Sequence, residues 1–307
     1  MRSSCADALE GGRRAPGRAG LTTRSSPTDQ RLSVIAHTAI LDVSADLAGH
    51  LAWLLQRERR RRGTRAGTRA LSCFWQAVLG LRWFRDRTHP ERLGRDHELS
   101  RATAYRYVDE VITVLADQAP DLHEVLQQAH EQDMTYVILD GTVITTDRLN
   151  EKTTSVQGKT IDLWYSGKAH AHGGTIQALS MPNGFPLWVS DVEPGSTHDL
   201  TAAREHVLPA LYAAAAHGLP TLADAGYDGT GIGVHTPIKQ PPGTQGLDAN
   251  NRTYNALLRG LRSLGERSFA LLTQRWRTLN RITASPSKIG PIIQAALVLT
   301  QLEHSTT

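Results

Sequence analysis

Three acidic residues have types and positions that could support metal-dependent chemistry. Asp140 ends an apolar run and is followed by Gly141. Asp224 ends another apolar run, and Glu266 lies in a helical pattern four residues after Arg262. Mg²⁺ and Mn²⁺ prefer hard oxygen ligands such as carboxylates, and a pair of such cations can neutralise the attacking and leaving oxygens of a phosphodiester. Two carboxylates at strand ends and one on a later helix therefore permit a two-metal site for phosphodiester cleavage.

Each of these residues also has a purely structural interpretation. The Asp-Gly pair at 140–141 is a common turn pair, and Asp224 likewise precedes a turn that contains glycine. Glu266 could pair with Arg262 on an exposed helix face, a contact worth only about 0.2–0.5 kcal/mol. Gly265 stands directly before the glutamate and is expected to loosen the helix there.

Several blocks of sequence resemble a known family. They are LDGT at 139–142, YSGKAHAHGG at 165–174, EPGSTHDL at 193–200, LADAGYDG at 222–229 and RSLGERSFALLTQRW at 262–276. From about residue 134 to 302 the chain resembles the DDE transposases of bacterial insertion sequences, in the branch related to the eukaryotic Harbinger elements. The resemblance implies that Asp140 bridges two divalent ions, Mg²⁺ or Mn²⁺, and that Asp224 and Glu266 each bind one of them.

The same resemblance implies residues that support the site. It places the pair His198–Asp199 close to the three carboxylates, and we expect Arg262 to support them as well. The local sequence offers an alternative for Asp199, because residues 196–199 resemble a capping box with Ser196 as the helix cap. Helix capping, support of the site and direct metal ligation all stay open for Asp199.

A basic turn follows Gly167. It contains Lys168, His170 and His172, and in the resembling proteins this block lies near the catalytic face and contacts DNA. The alternative is a solvated surface turn. A zinc site is not indicated, because His170 and His172 have no third and fourth ligand at suitable spacing.

The pattern before residue 131 is helical and basic. We expect a flexible leader over 1–30, a helical DNA-binding domain over 31–130, and within it a helix-turn-helix from about 90 to 116. Ser100 would cap the second helix of that motif. The side chains expected to face DNA are those of Arg101, Thr103 and Arg106. The alternative is a small helical dimerisation module.

An arginine-rich run, RERRRRGTRAGTR, covers residues 57–69. Because arginine neutralises phosphates and releases condensed counterions, the run is a candidate phosphate-binding surface. The arginines assigned to DNA are Arg59, Arg60, Arg61 and Arg62. The alternative is a solvated basic helix end or linker.

From residue 131 onward the pattern changes to a mixture of strands and helices. Strands are predicted at 135–139, 171–181, 185–189 and 221–224, and a further strand at 234–238. Helices are predicted at 197–216, 250–276 and 291–302. The fold class is therefore α/β, and the family resemblance implies a ribonuclease H-like DDE catalytic domain over 131–307.

Composition excludes several other classes. The sequence has no uninterrupted apolar run near the length of a membrane span and no signal-peptide pattern. Its two cysteines, Cys5 and Cys73, form no disulfide framework, which fits a reducing cytoplasm. The arginine bias suggests a GC-rich bacterial genome, so we expect a bacterial cytoplasmic protein associated with the nucleoid.

Together these features predict an insertion-sequence transposase that cleaves DNA and transfers strands. Its partners would be double-stranded DNA, as terminal inverted repeats and target DNA, and further copies of itself in a homodimer or larger homo-oligomer. One alternative is a domesticated DDE nuclease that does not transpose. Another is a DNA-binding regulator whose nuclease domain is inactive.

Overall fold

The computed structural model describes residues 40–155, 157–243 and 246–305. The expected leader at 1–30, the start of the helical segment at 31–39, and Cys5 lie outside these residues. The chain divides into a unit that ends at Ile40 and a unit that begins at Leu41. All the helices and strands below belong to the second unit.

The first part of this unit is helical, as predicted. Serine or aspartate side chains cap several of the helices; for example, Ser100 Oγ accepts a hydrogen bond from the Thr103 backbone N–H at 3.2 Å. The predicted cap at Ser100 is therefore confirmed. The helices are α1 (Ala45–Arg61), α2 (Cys73–Asp86), α3 (Pro90–Asp96), α4 (Arg101–Ala116) and α5 (Leu122–Glu131).

Apolar side chains at helical spacing bury one face of each of these helices. In α1 the buried leucines are Leu47, Leu51, Leu54 and Leu55, and in α4 the buried residues include Val108, Val111 and Leu115. Because these positions recur every three or four residues, they form a continuous apolar stripe. The helices and their buried faces match the sequence pattern, and the helix-turn-helix assignment stays a prediction.

The second part contains a mixed sheet. The strands are β1 (Val137–Thr145), β2 (Lys152–Thr154), β3 (Thr160–Asp162), β4 (Tyr165–Ser166), β5 (Ala171–Ser180), β6 (Pro186–Val189), β7 (Glu193–Pro194), β8 (Thr221–Leu222) and β9 (Val234–His235). The order is β4-β5-β1-β8-β9, with β6 and β7 also pairing with β5, while β2 and β3 form a separate hairpin. β1 is antiparallel to β5 and parallel to β8, so the observed architecture is mixed α/β.

Helices cover and follow this sheet. They are α6 (Asp199–His206), α7 (Leu208–Ala216), α8 (Ala249–Arg262), α9 (Glu266–Arg275) and α10 (Ile289–Ser305). Buried residues of α10, such as Ile292 and Ile293, share an apolar cluster with β1 and β5 and with α1, α2 and α4. The central strand is therefore packed against helices from both ends of the described chain. None of the described helices has the length and apolar character needed to cross a membrane.

Three predicted elements differ from those observed. β1 does not end before Asp140, because β5 pairs with it as far as Thr145. The predicted helix 197–216 is divided at Val207, whose φ of −135° is not helical and which precedes a proline in the first turn of α7. The predicted helix 250–276 is interrupted at 263–265, so α9 starts at Glu266.

The contact between α2 and α4 gives a test of the helical packing. A side-chain carbon on Gly80 would lie 2.6 Å from Val111 Cγ1, and both residues are buried. We expect Gly80→Ala to lower the free energy of unfolding by about 1–3 kcal/mol, because a stiff β-branched neighbour must shift. Urea unfolding measures the change. Gly49→Ala is the matched control, since Gly49 lies in α1 with nothing within 4 Å, and it should stabilise by roughly 0.5–1 kcal/mol. Equal effects of the two substitutions would contradict this packing.

Candidate active site

Parallel pairing of β1 with β8 places two carboxylates side by side. Ile138 pairs with Leu222 in this register, and Asp140 and Asp224 each lie two residues further along. Asp224 has extended backbone (φ −81°, ψ 177°), so it continues the direction of β8. Because side chains alternate along strands with a period of two, equal offsets bring both carboxylates to the same side of the sheet. Their proximity was predicted, but Asp140 lies inside its strand and not at its end.

A third carboxylate, that of Asp199, reaches the same place from α6. A side-chain carbon on Gly141 would lie 2.8 Å from Asp199 Oδ1, and one on Gly226 would lie 3.7 Å from Asp199 Oδ2. Gly141 follows Asp140 in the chain. The backbone N–H of Gly226 donates a hydrogen bond to Asp224 Oδ1 at 2.8 Å. Asp199 thus stands between the backbones that carry the other two.

The capping interpretation of Asp199 is wrong. His198 occupies the N-cap position of α6, and its exposed side chain forms no capping hydrogen bond. Ser196 therefore does not cap this helix. The Asp199 carboxylate instead accepts a hydrogen bond from Lys168 Nζ at 2.7 Å. Among the alternatives left by the sequence, this geometry favours support of the site.

Two cationic side chains offset part of the negative charge of the carboxylates. Lys168 forms the ion pair with Asp199, and Arg262 Nη1 lies 3.8 Å from Asp140 Oδ1. Arg262 Nη2 also lies 3.9 Å from Glu266 Oε1. Arg262 therefore lies near two of the predicted metal ligands, and its supporting role stays a prediction.

Glu266 lies at the edge of this cluster. It is the first residue of α9, and 69% of its side chain is exposed. The preceding Gly265 packs against β1, since a side-chain carbon there would lie 2.6 Å from Ile138 Cγ2. This close approach explains why a glycine stands at position 265. The prediction that Glu266 sits within one long helix is wrong, although its i,i+4 ion pair with Arg262 is present.

The side chains of the cluster offer only part of a ligand set for a hard divalent cation. Asp140 and Asp224 supply oxygen ligands on neighbouring strands, which fits Mg²⁺ or Mn²⁺. Across the ranges that the structure describes, however, no group of three or more His, Cys, Asp or Glu side chains is arranged to hold a metal ion. Two of the predicted ligands fit the cations, and the carboxylate of Glu266 faces Arg262 and solvent.

Electrostatics at the cluster follow from burial and crowding. Burial raises the pKa of Asp140 to about 6, and the charge of Asp224 adds to this, while Arg262 and Lys168 oppose it. Burial disfavours the charged form of Lys168, but its hydrogen bond to Asp199 and the charges of Asp224 and Asp140 outweigh burial and raise its pKa. The carboxylates of the site therefore carry more negative charge than Lys168 and Arg262 neutralise.

A buried polar pair beneath the carboxylates was not predicted. Tyr227 and Gln177 are fully buried, and the Tyr227 hydroxyl donates to Gln177 Oε1 at 2.5 Å. A side-chain carbon on Gly141 would lie 2.7 Å from the Tyr227 hydroxyl and 3.0 Å from Gln177 Nε2. Only glycine fits at this point of β1. The glycine-tyrosine pair after Asp224 was visible in the sequence, but nothing there linked it to Gln177.

The histidines of the basic turn lie outside the carboxylate cluster. His170 is exposed and has a left-handed backbone with a φ of 51°. His172 is half-buried, and its ring centroid lies 5.3 Å from that of Tyr165. The assignment of Lys168, His170 and His172 to DNA contact stays a prediction, and Lys168 has the additional contact with Asp199.

A second candidate surface lies in the helical segment. An open groove of about 660 Å³ is lined by residues of α4 and of the arginine-rich run, among them Arg62, Arg69, Thr103 and Arg106. Arg106 Nη2 donates to Thr103 Oγ1 at 3.1 Å. At the base, buried Glu110 accepts a hydrogen bond from Arg69 at 2.8 Å. The groove brings together residues that the sequence assigned to two separate DNA contacts.

Other arginines of the predicted surface have partners within the protein. Arg61 bonds to Glu58 at 2.6 Å, and Arg62 also pairs with Glu58. The hydrogen bond from Arg61 and the proximity of Arg62 lower the pKa of Glu58 to about 2. Arg59 donates to the Leu71 carbonyl at 3.1 Å, whereas Arg60 is exposed.

The outer end of α4 presents the remaining predicted contact. Arg101 is exposed, and its guanidinium lies 5.7 Å from the centroid of the Tyr105 ring. This cation–π contact orients the side chain without neutralising its charge. Arg101 is therefore free to meet a phosphate or a base, and its DNA contact stays a prediction.

Comparison with known proteins bears on the carboxylate cluster. Residues 139–301 match the family described as DDE superfamily endonuclease. Comparisons with curated proteins and with solved structures gave no match. The matched segment contains Asp140, Asp199, Asp224 and Glu266, and it covers more than half of the 307 residues. The chain therefore belongs to the DDE superfamily endonuclease family, and the DDE-type transposase resemblance seen in its sequence is confirmed.

Proposed function

We propose that this protein is the transposase of a bacterial insertion sequence, which binds the element ends and catalyses metal-dependent DNA cleavage and strand transfer. The observation that carries the proposal is the equal offset of Asp140 and Asp224 beyond the paired residues of β1 and β8. Family membership supports the nuclease chemistry. The proposal includes a ribonuclease H-like DDE domain over 131–307 and a DNA-binding helical domain over 31–130, preceded by a leader over 1–30.

In this proposal Asp140 and Asp224 hold the divalent cations, with Glu266 completing the ligand set. Bound Mg²⁺ or Mn²⁺ would supply activation of the oxygen nucleophile and neutralisation of the leaving oxygen. Asp140 is central because it interacts electrostatically with Asp224 and lies 3.8 Å from the guanidinium of Arg262. The exposed Lys168 would meet the scissile phosphate, since an ammonium stabilises the charge that develops on its oxygens.

Glu266 provides the one observation that favours a second candidate. Its exposed carboxylate is what an inactive nuclease domain in a DNA-binding regulator would show. A domesticated nuclease would keep cleavage and lack transposition. Inverted repeats beside the gene would distinguish a transposase from that nuclease, and the cleavage assay below distinguishes both from the regulator.

Loss of the central carboxylate should abolish catalysis. Asp140→Asn keeps the shape of the side chain but removes the charge that holds the cations, so Mg²⁺- or Mn²⁺-dependent cleavage of element-end DNA should fall at least about 100-fold while DNA binding is retained. Cleavage and binding are measured on the same labelled duplex. Asp228→Asn is the control, because Asp228 pairs with Lys239 outside the cluster at 2.9 Å and should cleave normally. Cleavage by Asp140→Asn at the wild-type rate would remove Asp140 from the site.

The same substitution should stabilise the metal-free protein. Because the pKa of Asp140 is raised to about 6, the folded protein binds this proton more tightly than the unfolded chain. That contribution is fully present below about pH 4 and is lost as the pH rises through about 6. The Asp140 side chain is only 18% exposed. With a chelator present to keep the protein metal-free, at about pH 7.5, Asp140→Asn should raise the free energy of unfolding by up to about 3 kcal/mol.

Urea unfolding at two pH values checks this prediction. At about pH 4 the aspartate is protonated in the folded protein, so Asp140→Asn should give no gain there. An equal increase in the free energy of unfolding at both pH values would show that ionisation of Asp140 does not destabilise the folded state.

We further propose that the groove between α4 and the segment that follows α1 binds element-end DNA. Arg101, Thr103 and Arg106 would contact base edges or clamp the duplex, and Arg60 with its neighbouring arginines would supply affinity for phosphates. The transposase would act as a homodimer or larger assembly, since two element ends must be brought together.

Recognition by α4 is tested through Arg106. Arg106→Ala should reduce the ratio of affinities for element-end and random DNA by about 5- to 100-fold, since a lost base contact costs about 1–3 kcal/mol. Binding titrations on both DNAs at several salt concentrations measure the ratio. Arg204→Ala is the control, because Arg204 is exposed on α6 outside the groove and should leave the ratio unchanged. If Arg106→Ala discriminates as wild type does, the segment is better described as a structural or dimerising hairpin.

A further inference from the structure

We propose that Lys168 and Asp199 form an internal counter-ion pair that determines how tightly the Asp140–Asp224 site binds divalent cations. In the cation-free protein the Lys168 ammonium supplies part of the positive charge that the carboxylates require. An entering cation replaces that charge, and the ammonium withdraws toward solvent. This inference rests on the proposed function, because it concerns the same cations.

Asp199 is placed to hold an ammonium over the site. It comes from α6, while Asp140 and Asp224 come from β1 and from the end of β8. Its side chain is only 14% exposed, and its two oxygens face the backbones of Gly141 and Gly226. An ion paired with Asp199 is therefore fixed beside both catalytic aspartates. The charge of Lys168 acts on Asp140 and on Asp224.

Lys168 is the cation that can leave. Its side chain is 67% exposed although its Nζ lies 2.7 Å from Asp199 Oδ2. It follows Gly167 in the turn between β4 and β5, where open space surrounds the glycine. Arg262 is only 17% exposed and is shared between Asp140 and Glu266. Withdrawal of Lys168 into water breaks one ion pair, whereas withdrawal of Arg262 would break two.

Asp199 has a second potential partner that would keep it in place. Gln177 Nε2 is fully buried and has no hydrogen-bond partner among the described residues. The bond from the Tyr227 hydroxyl to Gln177 Oε1 fixes which end of the amide faces Gly141. Gln177 Nε2 and Asp199 Oδ1 both lie within 3.0 Å of the point where a Gly141 side chain would begin. This buried donor gives Asp199 a nearby dipole when Lys168 withdraws.

The pair predicts opposite effects of removing its two members. Lys168→Met removes the competing charge, so the affinity for Mn²⁺ should rise on the order of tenfold, within the usual range of coupling between two sites. Asp199→Asn removes a negative charge and releases Lys168 toward Asp140 and Asp224, so the affinity for Mn²⁺ should fall by a similar factor. Lys168→Arg keeps the charge and should stay within about threefold of wild type.

The experiment measures Mn²⁺ binding to the full chain without DNA, by electron paramagnetic resonance of the free ion and by calorimetry. Lys239→Met is the matched control, because Lys239 forms a comparable ion pair with Asp228 at 2.9 Å outside the cluster. It should bind Mn²⁺ as wild type does. Circular dichroism confirms that each variant is folded.

The outcomes separate this inference from the proposed function. If Asp140→Asn loses Mn²⁺ binding while Lys168→Met binds no more tightly than wild type, the counter-ion role is wrong and the metal site stands. If Lys168→Met and Lys239→Met change the affinity equally, the effect is one of net charge and the inference is overturned. If wild type shows no binding that depends on Asp140, the metal site and the counter-ion role both fail.

Discussion

Crowding of negative charge is the constraint on which the structure of this site depends. Parallel pairing of β1 and β8 puts Asp140 beside Asp224, and α6 adds Asp199 between them. Neighbouring carboxylates disfavour each other's ionisation. Partial burial strengthens this repulsion, because the surrounding dielectric constant is low. Burial is the main cause of the raised pKa of Asp140, and the negative charge of Asp224 adds to it. Lys168 and Arg262 supply part of the positive charge that such a site requires, and the proposed divalent cations would supply the rest.

The fold keeps the repelling groups in place by making their supports rigid. β1 is central in the sheet, and its outer residue Ile144 belongs to an apolar cluster with α10 and the helical segment. Gly141 lets β1 approach the buried Tyr227–Gln177 pair, and Gly265 lets the start of α9 approach β1 at Ile138. Both glycines adjoin a carboxylate. Asp140 is therefore held by strand pairing on both sides of its position, and Asp224 lies two residues beyond the paired Leu222. Glu266 lies in the first turn of α9, and most of its side chain is exposed.

Much of this arrangement could be predicted from local sequence. Capping serines and leucine spacing predict the helices, and apolar runs before Asp140 and Asp224 predict the strands beneath the site. Local sequence could not choose among the roles open for Asp199, because a capping box and a site carboxylate have the same local pattern. The family resemblance placed Asp199 near the carboxylates, and the fold adds its contact with Lys168. The end of β1 was misplaced because an Asp-Gly pair usually marks a turn, and long-range pairing with β5 overrides that preference here. The partners of the arginine-rich run could not be predicted either, because Glu110 and Gln76 lie outside it in sequence and contact it only in the folded chain.

Metal binding by Asp140 and Asp224 is tested by the position of Mn²⁺ in crystals grown with Mn²⁺ and element-end DNA. Anomalous scattering locates the ion without reference to the protein side chains. We expect a peak shared by the carboxylates of Asp140 and Asp224, with the Lys168 ammonium displaced from Asp199. Mn²⁺ bound elsewhere on the chain, with Lys168 still paired to Asp199 and no peak between the two aspartates, would contradict it.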